Sequence, residues 1–151
     1  HYEHSEIGYN YRMSNVCAGI GRGQLEVIDE RVRQRRKNFD FYYKSLSSTP
    51  GIGFQNEPDN ACSNRWLTAI TIDPELAGTC SDDIRHHLDL HNIESRPVWK
   101  PMHLQPVFKK AKYFGGNNAE TLFRKGLCLP SGSNLKEKDL NRIIQKIKQK
   151  L

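Results

Sequence analysis

The sequence predicts an α+β domain, in which helices pack on one side of a small antiparallel sheet. Two long stretches have apolar residues at helical spacing, and several short stretches between them are rich in β-forming residues. These elements do not alternate regularly as strand, helix and strand, which argues against a parallel sheet. The length of 151 residues fits one domain that buries roughly two thirds of its unfolded surface.

The first predicted element, after a polar and aromatic opening segment, is one long helix from Asn15 to about Leu46, with Ser14 or Asn15 as its cap. Its second half carries an apolar seam that is broken only at Arg35. The first half contains three glycines, each of which costs a helix about 1 kcal/mol relative to Ala. We therefore expect tertiary or intersubunit packing to hold that half. The seam residues are Leu25, Ile28, Val32, Phe39, Tyr42 and Leu46, and the glycines are Gly19, Gly21 and Gly23.

The remaining elements are shorter and follow from local patterns. The predicted strands are Ile52–Gln55, Trp66–Ile72, Ile93–Arg96 (ended by Pro97) and Leu127–Leu129. The predicted helices are Ser81–His91 with Ser81 as its cap and Ile84 and Leu88 inward, Asn118–Lys125 closed by Gly126, and a terminal helix from about Leu135. The stretch from Pro97 to Gly116 is predicted to be a structured loop with one helical turn near Leu104.

Composition and cysteine spacing exclude several classes of protein. No apolar run approaches the roughly 18 residues that a membrane helix needs, so we expect no membrane partner. The cysteines at 17, 62, 80 and 128 have no CxxC spacing, which argues against a zinc or redox motif and favours reduced thiols in the cytoplasm. The net charge of +6 permits an acidic ligand such as a nucleotide.

Three other patterns invite a functional interpretation, but a structural one is favoured for each. The glycines at 19, 21 and 23 do not complete a dinucleotide fingerprint, because position 24 is Gln and no strand precedes it. His86, His87 and His91 share one predicted helix, and His87 and His91 have the i, i+4 spacing of some metal sites. No matching Glu or third ligand lies near that pair, so we expect surface histidines and no metal. Acidic residues lie close to the basic run 31–37 and among the terminal lysines, which favours solvated helix faces over nucleic-acid binding.

The peptide GYNYRMSN, from Gly8 to Asn15, is dense in groups that suit ligand contacts. Asn10 lies between two tyrosines just before a helix start, where an amide donor and backbone N–H groups suit a phosphate oxygen. Arg12 adds a planar fork that pairs with a carboxylate or phosphate. Asn and Arg also serve as caps and loop anchors, so the residues alone leave both interpretations open.

The peptide ESRPVWKPMHLQPVF, from Glu94 to Phe108, is the second such segment. Pro97 and Pro101 stiffen a loop that displays Trp99, Lys100, Met102 and His103. An aromatic face, a cation and an imidazole on a rigid loop are typical of a sugar or nucleotide contact surface. A loop packed on its own domain is the alternative, and the residues alone do not decide between them.

Both peptides, and GxGQLExIDExxxxR between them, resemble the C-terminal part of the DegT/StrS sugar aminotransferases, which use pyridoxal phosphate (PLP). The segment LPSGSNL, from Leu129 to Leu135, and the terminal helix fit the same family. These motifs are most similar to those of enzymes that make nucleotide-linked 4-amino-4,6-dideoxy sugars for bacterial surface glycans. The resemblance covers nearly the whole chain.

The resemblance implies the small C-terminal domain of a type I PLP aminotransferase, working as a homodimer with active sites at the subunit interface. Such enzymes move an amino group from glutamate to a keto-sugar. By the same resemblance, Asn10 reaches the PLP phosphate of the neighbouring subunit and Arg12 lies near a substrate carboxylate. Lys100, Met102 and His103 contact the nucleotide-sugar, and Arg96 fixes the loop.

No segment here matches the family's PLP-binding lysine motif, which belongs to a preceding large domain. We therefore expect residues 1–151 to be the small domain with part of the connecting helix, cut from a longer protein and unable to transaminate alone. Two alternatives stay open: a non-catalytic binding or regulatory relative, and a basic nucleic-acid-binding module.

Overall fold

The computed structural model describes residues 7–151 and contains a four-stranded antiparallel sheet. The strands are β1 (Ile52–Phe54), β2 (Thr68–Ile72), β3 (Arg96–Pro97) and β4 (Gly126–Leu129), in the spatial order β1-β2-β4-β3. In β2, Thr68, Ile70 and Ile72 are buried and alternate with less buried residues, as expected for a sheet with one covered face. The predicted α+β fold with a small antiparallel sheet is therefore confirmed.

Six helices accompany the sheet within the described residues. They are α1 (Asn15–Leu25), α2 (Ile28–Leu46), α3 (Pro74–Ala77), α4 (Ser81–Asp89), α5 (Asn118–Lys125) and α6 (Glu137–Lys148), with 3-10 helices at Met102–Leu104 and Pro106–Phe108. The core combines aliphatic residues of β2 and β4 with those of α2, α4 and α6. Ile84 and Leu88 are fully buried there, as predicted. None of the described helices has the length and apolar character needed to cross a membrane.

The prediction of one long helix from Asn15 to Leu46 is wrong, because the chain breaks between α1 and α2 at Glu26 and Val27. Val27 leaves helical geometry (φ −117°, ψ 7°), and its N–H bonds to the carbonyl of Gln24, three residues back. No residue of α1 is buried, so packing within residues 7–151 does not offset its three glycines. The predicted seam is likewise buried only at its far end: Leu25 is 68% exposed, whereas Tyr42 and Leu46 are fully buried.

Smaller corrections concern helix ends. Ser81 is the first residue of α4 rather than its cap, because its hydroxyl donates 2.8 Å to the carbonyl of Arg124. Helix α6 begins at Glu137, where Asp139 accepts a hydrogen bond from the N–H of Lys136. The predicted strand at Ile93–Arg96 pairs only at Arg96 and Pro97. Asn92, which follows α4, adopts a left-handed conformation (φ 54°), in which Asn often ends a helix.

Candidate functional site

The N-terminal peptide is exposed to solvent from Gly8 to Asn15. Asn10 and its neighbours are exposed, and the rings of Tyr9 and Tyr11 lie 6.2 Å apart. The side-chain Oδ1 of Asn10 accepts a hydrogen bond of 3.0 Å from the backbone N–H of Arg12, which fixes the turn and leaves the side-chain NH₂ of Asn10 as a donor. The Arg12 guanidinium forms no ion pair with any residue of the described part of the chain.

Helix α1 continues this exposed segment. Ser14 caps it by accepting a 3.2 Å hydrogen bond from the N–H of Cys17, so the prediction of a cap at Ser14 or Asn15 is confirmed at Ser14. Its apolar side chains remain in solvent, with Val16 73% and Ile20 62% exposed. Several large apolar side chains that the described part of the chain does not cover therefore lie in the segment that follows Asn10 and Arg12.

One part of the second peptide is exposed to solvent, and another part packs against the chain. Lys100 and Met102 are exposed, and Trp99 is 68% exposed. His103 is instead held between two partners: its Nε2 lies 2.9 Å from the Glu120 carboxylate of α5, and its ring stacks on Tyr113 at 3.9 Å. The sequence interpretation missed both partners of His103, although the acidic first turn of α5 was visible in the sequence.

Arg96 does not reach the loop that it was expected to fix. Its guanidinium bonds to the Glu94 carboxylate, two residues away, at 2.8 and 2.5 Å. Both side chains are more than 70% exposed, so this pair adds little stability. No side-chain hydrogen bond or ion pair between residues 7 and 151 joins the N-terminal peptide to the second peptide.

A cavity of about 720 Å³ opens beside the second peptide, where β3 stops pairing with β4. Its walls include the segment before β3, the segment after β4 and one side of α6. Trp66 and Trp99 form one wall, with ring centroids 6.0 Å apart. Trp66 was predicted to start a strand, but β2 begins at Thr68 and Trp66 is 58% exposed. Its place in this wall was not predicted.

Arg35 explains the gap in the apolar seam of α2. Its Nη1 donates to the carbonyl oxygens of Trp66, at 2.5 Å, and Ser131, at 3.2 Å. Asn38 and Tyr42, further along the same helix, donate to the carbonyls of Gly132 and Pro130 at 2.9 Å each. One face of α2 therefore holds the segment after β4, together with Trp66.

Several basic residues of the run 31–37 pair with groups of the same chain. Arg33 pairs with Glu30 at 2.6 Å, and Arg36 pairs with Glu57 at 3.0 Å. The prediction of a solvated basic face is therefore wrong for Arg35 and Arg36, which bind the loops beside α2. Among residues 7–151, no group of three or more His, Cys, Asp or Glu side chains is placed to hold a metal ion.

Comparison with solved structures identifies the class of protein. The fold matches the aminotransferase TlmJ of Streptoalloteichus hindustanus with a TM-score of 0.86 at 23% identity, covering 99% of this chain and 39% of that one. It also matches DesV of S. venezuelae, solved in complex with a ketimine intermediate, with a TM-score of 0.83 at 25% identity, covering 98% and 39%. The domain therefore has the fold of part of an aminotransferase.

The family follows from the sequence comparisons. The family model described as the DegT/DnrJ/EryC1/StrS aminotransferase family matches residues 1–148, and the chain belongs to this family. Over 149 residues it is 48% identical to the putative pyridoxal phosphate-dependent aminotransferase EpsN of Bacillus subtilis, covering 96% of this chain and 38% of EpsN. It is 34% identical to a GDP-perosamine synthase of Escherichia coli, covering 98% and 39%. The chain thus spans well under half the length of these relatives.

Proposed function

We propose that this chain is the C-terminal part of a PLP-dependent aminotransferase that moves an amino group from glutamate to a nucleotide-linked keto-sugar. The reaction would serve surface-glycan or amino-sugar biosynthesis. The family match over residues 1–148 carries this proposal. Relatives named as GDP-perosamine synthase and as a UDP-linked amino-sugar transaminase support a nucleotide-sugar substrate. The 48% identity to EpsN supports a catalytic rather than a regulatory role.

The exposed N-terminal peptide and α1 support a site that is completed by other polypeptide. Apolar side chains such as Val16 and Ile20 are uncovered, and an added Cβ at Gly19 or Gly23 would meet nothing within 4 Å. Surfaces of this kind mark contacts with a partner. We assign that contact to the large domain of the partner subunit in a homodimer, with residues 1–151 as the small domain and part of the connecting helix.

Asn10 fits a phosphate of the cofactor. Because its side-chain Oδ1 accepts a hydrogen bond from the N–H of Arg12, its NH₂ group supplies the remaining donors of the side chain, and these suit a phosphate oxygen. PLP, when bound, supplies the conjugated ring that stabilises the carbanion formed during amino transfer. Arg12 is placed two residues further on, where its unpaired guanidinium suits the carboxylate of glutamate or of the substrate.

The loop that carries Lys100, Met102 and His103 supplies the contacts with the nucleotide-sugar. Lys100 offers a point charge to the diphosphate, and Met102 offers an apolar contact beside it. Glu120 and Tyr113 orient the imidazole of His103. Because the ring is already held in one position, it loses little side-chain entropy when the substrate binds. Arg96 stays outside the site, because Glu94 occupies its guanidinium.

The PLP-binding lysine is assigned to the remainder of the polypeptide, so residues 1–151 alone are expected not to transaminate. The four free cysteines are consistent with a reducing compartment, and we place the enzyme in the cytoplasm.

The full-length polypeptide should convert 4-keto-6-deoxy sugars linked to GDP, UDP or dTDP into amino sugars with glutamate as donor, as followed by mass spectrometry. Asn10→Ala should weaken PLP retention roughly ten- to 150-fold, since a hydrogen bond to a charged group contributes about 1.5–3 kcal/mol. Asn141→Ala, on the exposed side of α6, is the matched control.

Retention of PLP and sugar without turnover would instead favour the regulatory alternative. A borohydride-stable PLP adduct at one lysine of the 151-residue chain would overturn the assignment of that lysine elsewhere.

A further inference from the structure

One side-chain contact of His103 holds its loop on the domain. The Nε2 atom of His103 lies 2.9 Å from a carboxylate oxygen of Glu120, which belongs to the first turn of α5. Among the described residues, this is the only hydrogen bond that joins residues 99–116 to another element, because the others formed by this segment are internal to it. A long segment with few such ties has low local stability, so its position depends on this contact.

Helix α5 gives this carboxylate a fixed base. The hydroxyl of Ser81 donates to the carbonyl of Arg124 at 2.8 Å, and Lys125 pairs with Asp73 at 2.6 Å. These two contacts hold the last turn of α5 on α4 and on the residue that caps α3. Because the helix is anchored, its carboxylate can determine where the imidazole lies.

The ring of Tyr113 covers one face of the imidazole. The ring centroids of His103 and Tyr113 lie 3.9 Å apart, the ring planes are inclined by 29°, and the Tyr113 hydroxyl donates to the carbonyl of Gly116. Within residues 7–151 the second ring nitrogen of His103, Nδ1, has no hydrogen-bond partner and is not buried. Nδ1 is therefore the polar atom that this side chain can offer to a ligand.

The carboxylate also determines which ring nitrogen carries a proton. A carboxylate accepts hydrogen bonds and does not donate them, so the proton between the two side chains belongs to Nε2. In the neutral imidazole the other nitrogen is then bare, and Nδ1 is an acceptor. An acceptor suits a hydroxyl or N–H group of a substrate, whereas a phosphate oxygen would need a donor. Without the carboxylate, the ring can turn and both tautomers become available.

We propose that Glu120 is a positioning residue for binding of the sugar: it fixes His103 as the Nε2–H tautomer and so presents Nδ1 as an acceptor for a substrate hydroxyl. This inference rests on the proposed nucleotide-sugar substrate and on the assignment of His103 to it. It extends that proposal, because it gives Glu120 control over the hydrogen-bonding character of His103 as well as over the position of the loop. Glu120 acts on the substrate only through His103.

NMR of the histidine rings tests the tautomer. The 151-residue chain, which carries its own aliphatic core, is isotope-labelled at its histidine nitrogens, and His103→Gln identifies the His103 signals by their loss. At mildly alkaline pH, where imidazole is neutral, we expect a bare Nδ1 and a protonated Nε2. The Nε2–H proton should be observed directly, because its hydrogen bond to Glu120 slows exchange with solvent. Glu120→Ala should broaden this resonance beyond detection.

Glu137→Ala is the matched control for this measurement. Glu137 is an exposed acid in the first turn of α6, so its substitution removes the same charge from the same position of another helix. It should leave the His103 resonances unchanged. A protonated Nδ1 in the unsubstituted chain, or equal effects of Glu120→Ala and Glu137→Ala on the Nε2–H resonance, would overturn the proposal.

Kinetics of the full-length enzyme test the positioning role. Glu120→Ala should raise KM for the nucleotide-sugar roughly two- to thirteenfold, the loss expected when one neutral hydrogen bond is removed. The half-reaction with glutamate, followed by the absorbance of the cofactor, should keep its rate, since His103 is not assigned to the amino donor. In a His103→Gln background, Glu120→Ala should have no further effect on KM. An undiminished effect in that background, or equal slowing of both half-reactions, would indicate general damage to the fold and overturn the proposal.

The outcomes remain separable from the proposed function. A protected Nε2–H resonance that Glu120→Ala removes, in a protein whose full-length form does not transaminate, would reject only the enzymatic proposal and support the fixed tautomer. Transamination with a KM that Glu120→Ala leaves unchanged would reject only the role of Glu120.

Discussion

The carboxylate of Glu57 accepts two hydrogen bonds of 3.0 Å from the guanidinium of Arg36. Arg65 approaches the same carboxylate at 3.3 Å, and the N–H of Ser63 also donates to it. Arg65 itself has a left-handed backbone (φ 48°), and its guanidinium lies 3.7 Å above the ring of Phe39. This arrangement anchors the loop between β1 and β2 to α2, so it determines where Trp66 enters the cavity wall.

The first prediction concerns acid stability. The hydrogen bonds from Arg36 and Ser63 lower the pKa of Glu57 to about 2 from its ordinary 4.5. A carboxylate with a lowered folded-state pKa stabilises the fold above its unfolded pKa, and this contribution is lost as the pH falls from about 4.5 towards 2. Glu57→Gln should therefore lower the free energy of unfolding at pH 7 and reduce the difference between pH 7 and pH 3, as measured by urea denaturation.

Asp59→Asn is the control for this prediction, because Asp59 is an exposed acid of the same loop. It should leave both the stability at pH 7 and its pH dependence nearly unchanged. If Glu57→Gln and Asp59→Asn behave alike, the Glu57 cluster does not anchor the loop.

The second prediction concerns His87, which faces α6. Burial lowers the pKa of His87, and nearby His91, Lys146 and Lys150 lower it further. A histidine with a lowered folded-state pKa binds fewer protons in the native state, so stability falls as the pH drops below the unfolded value of about 6.5. His87→Gln should flatten the stability profile between pH 7 and pH 5 in thermal unfolding. The exposed neighbour variant His86→Gln should retain the original slope.

The third prediction concerns the contact between α2 and the segment after β4. The Tyr42 side chain is fully buried, and its hydroxyl donates 2.9 Å to the carbonyl of Pro130. Tyr42→Phe should lower the free energy of unfolding by about 1–3 kcal/mol, because it removes a hydrogen bond and leaves a carbonyl unpaired. Tyr43→Phe, at a half-exposed ring, should change it by less than about 0.5 kcal/mol. Equal values for the two variants would contradict this role of Tyr42.

Local patterns predicted most of the fold because they coincide with the buried face. Ile84 and Leu88 in α4, and the apolar residues of α6, are spaced for one helix face and lie in the core. The break at Val27 was not predictable in this way, since apolar spacing continues across it from Leu25 to Ile28. Helix α3 was missed although its signals are local: Asp73 caps it, Pro74 opens it and Gly78 ends it with a φ of 70°.

The site was less predictable, because its partners are distant in sequence. Asn10, Arg12 and Lys100 stand out as exposed polar groups in both the sequence and the structure. In the sequence, Arg35 was apparent only as a charged residue that interrupts the apolar positions of the helix. Its acceptors Trp66 and Ser131 lie 31 and 96 residues away. Spacing rules apply within one helix or strand and carry no information about such contacts.

The last prediction uses the glycines of α1. An added Cβ at Gly19 or Gly23 meets nothing within 4 Å in this chain, so Gly19→Ala and Gly23→Ala should each favour the helix by about 1 kcal/mol. Far-UV circular dichroism of the 151-residue chain should then show increased helix content. In the proposed homodimer of the full-length protein the partner subunit would approach these glycines closely, so the same substitutions should weaken dimerisation in analytical ultracentrifugation. Unchanged dimer affinity alongside increased helicity would mean that no partner backbone approaches α1 at Gly19 or Gly23, and would remove the small-residue argument for an interface on this helix.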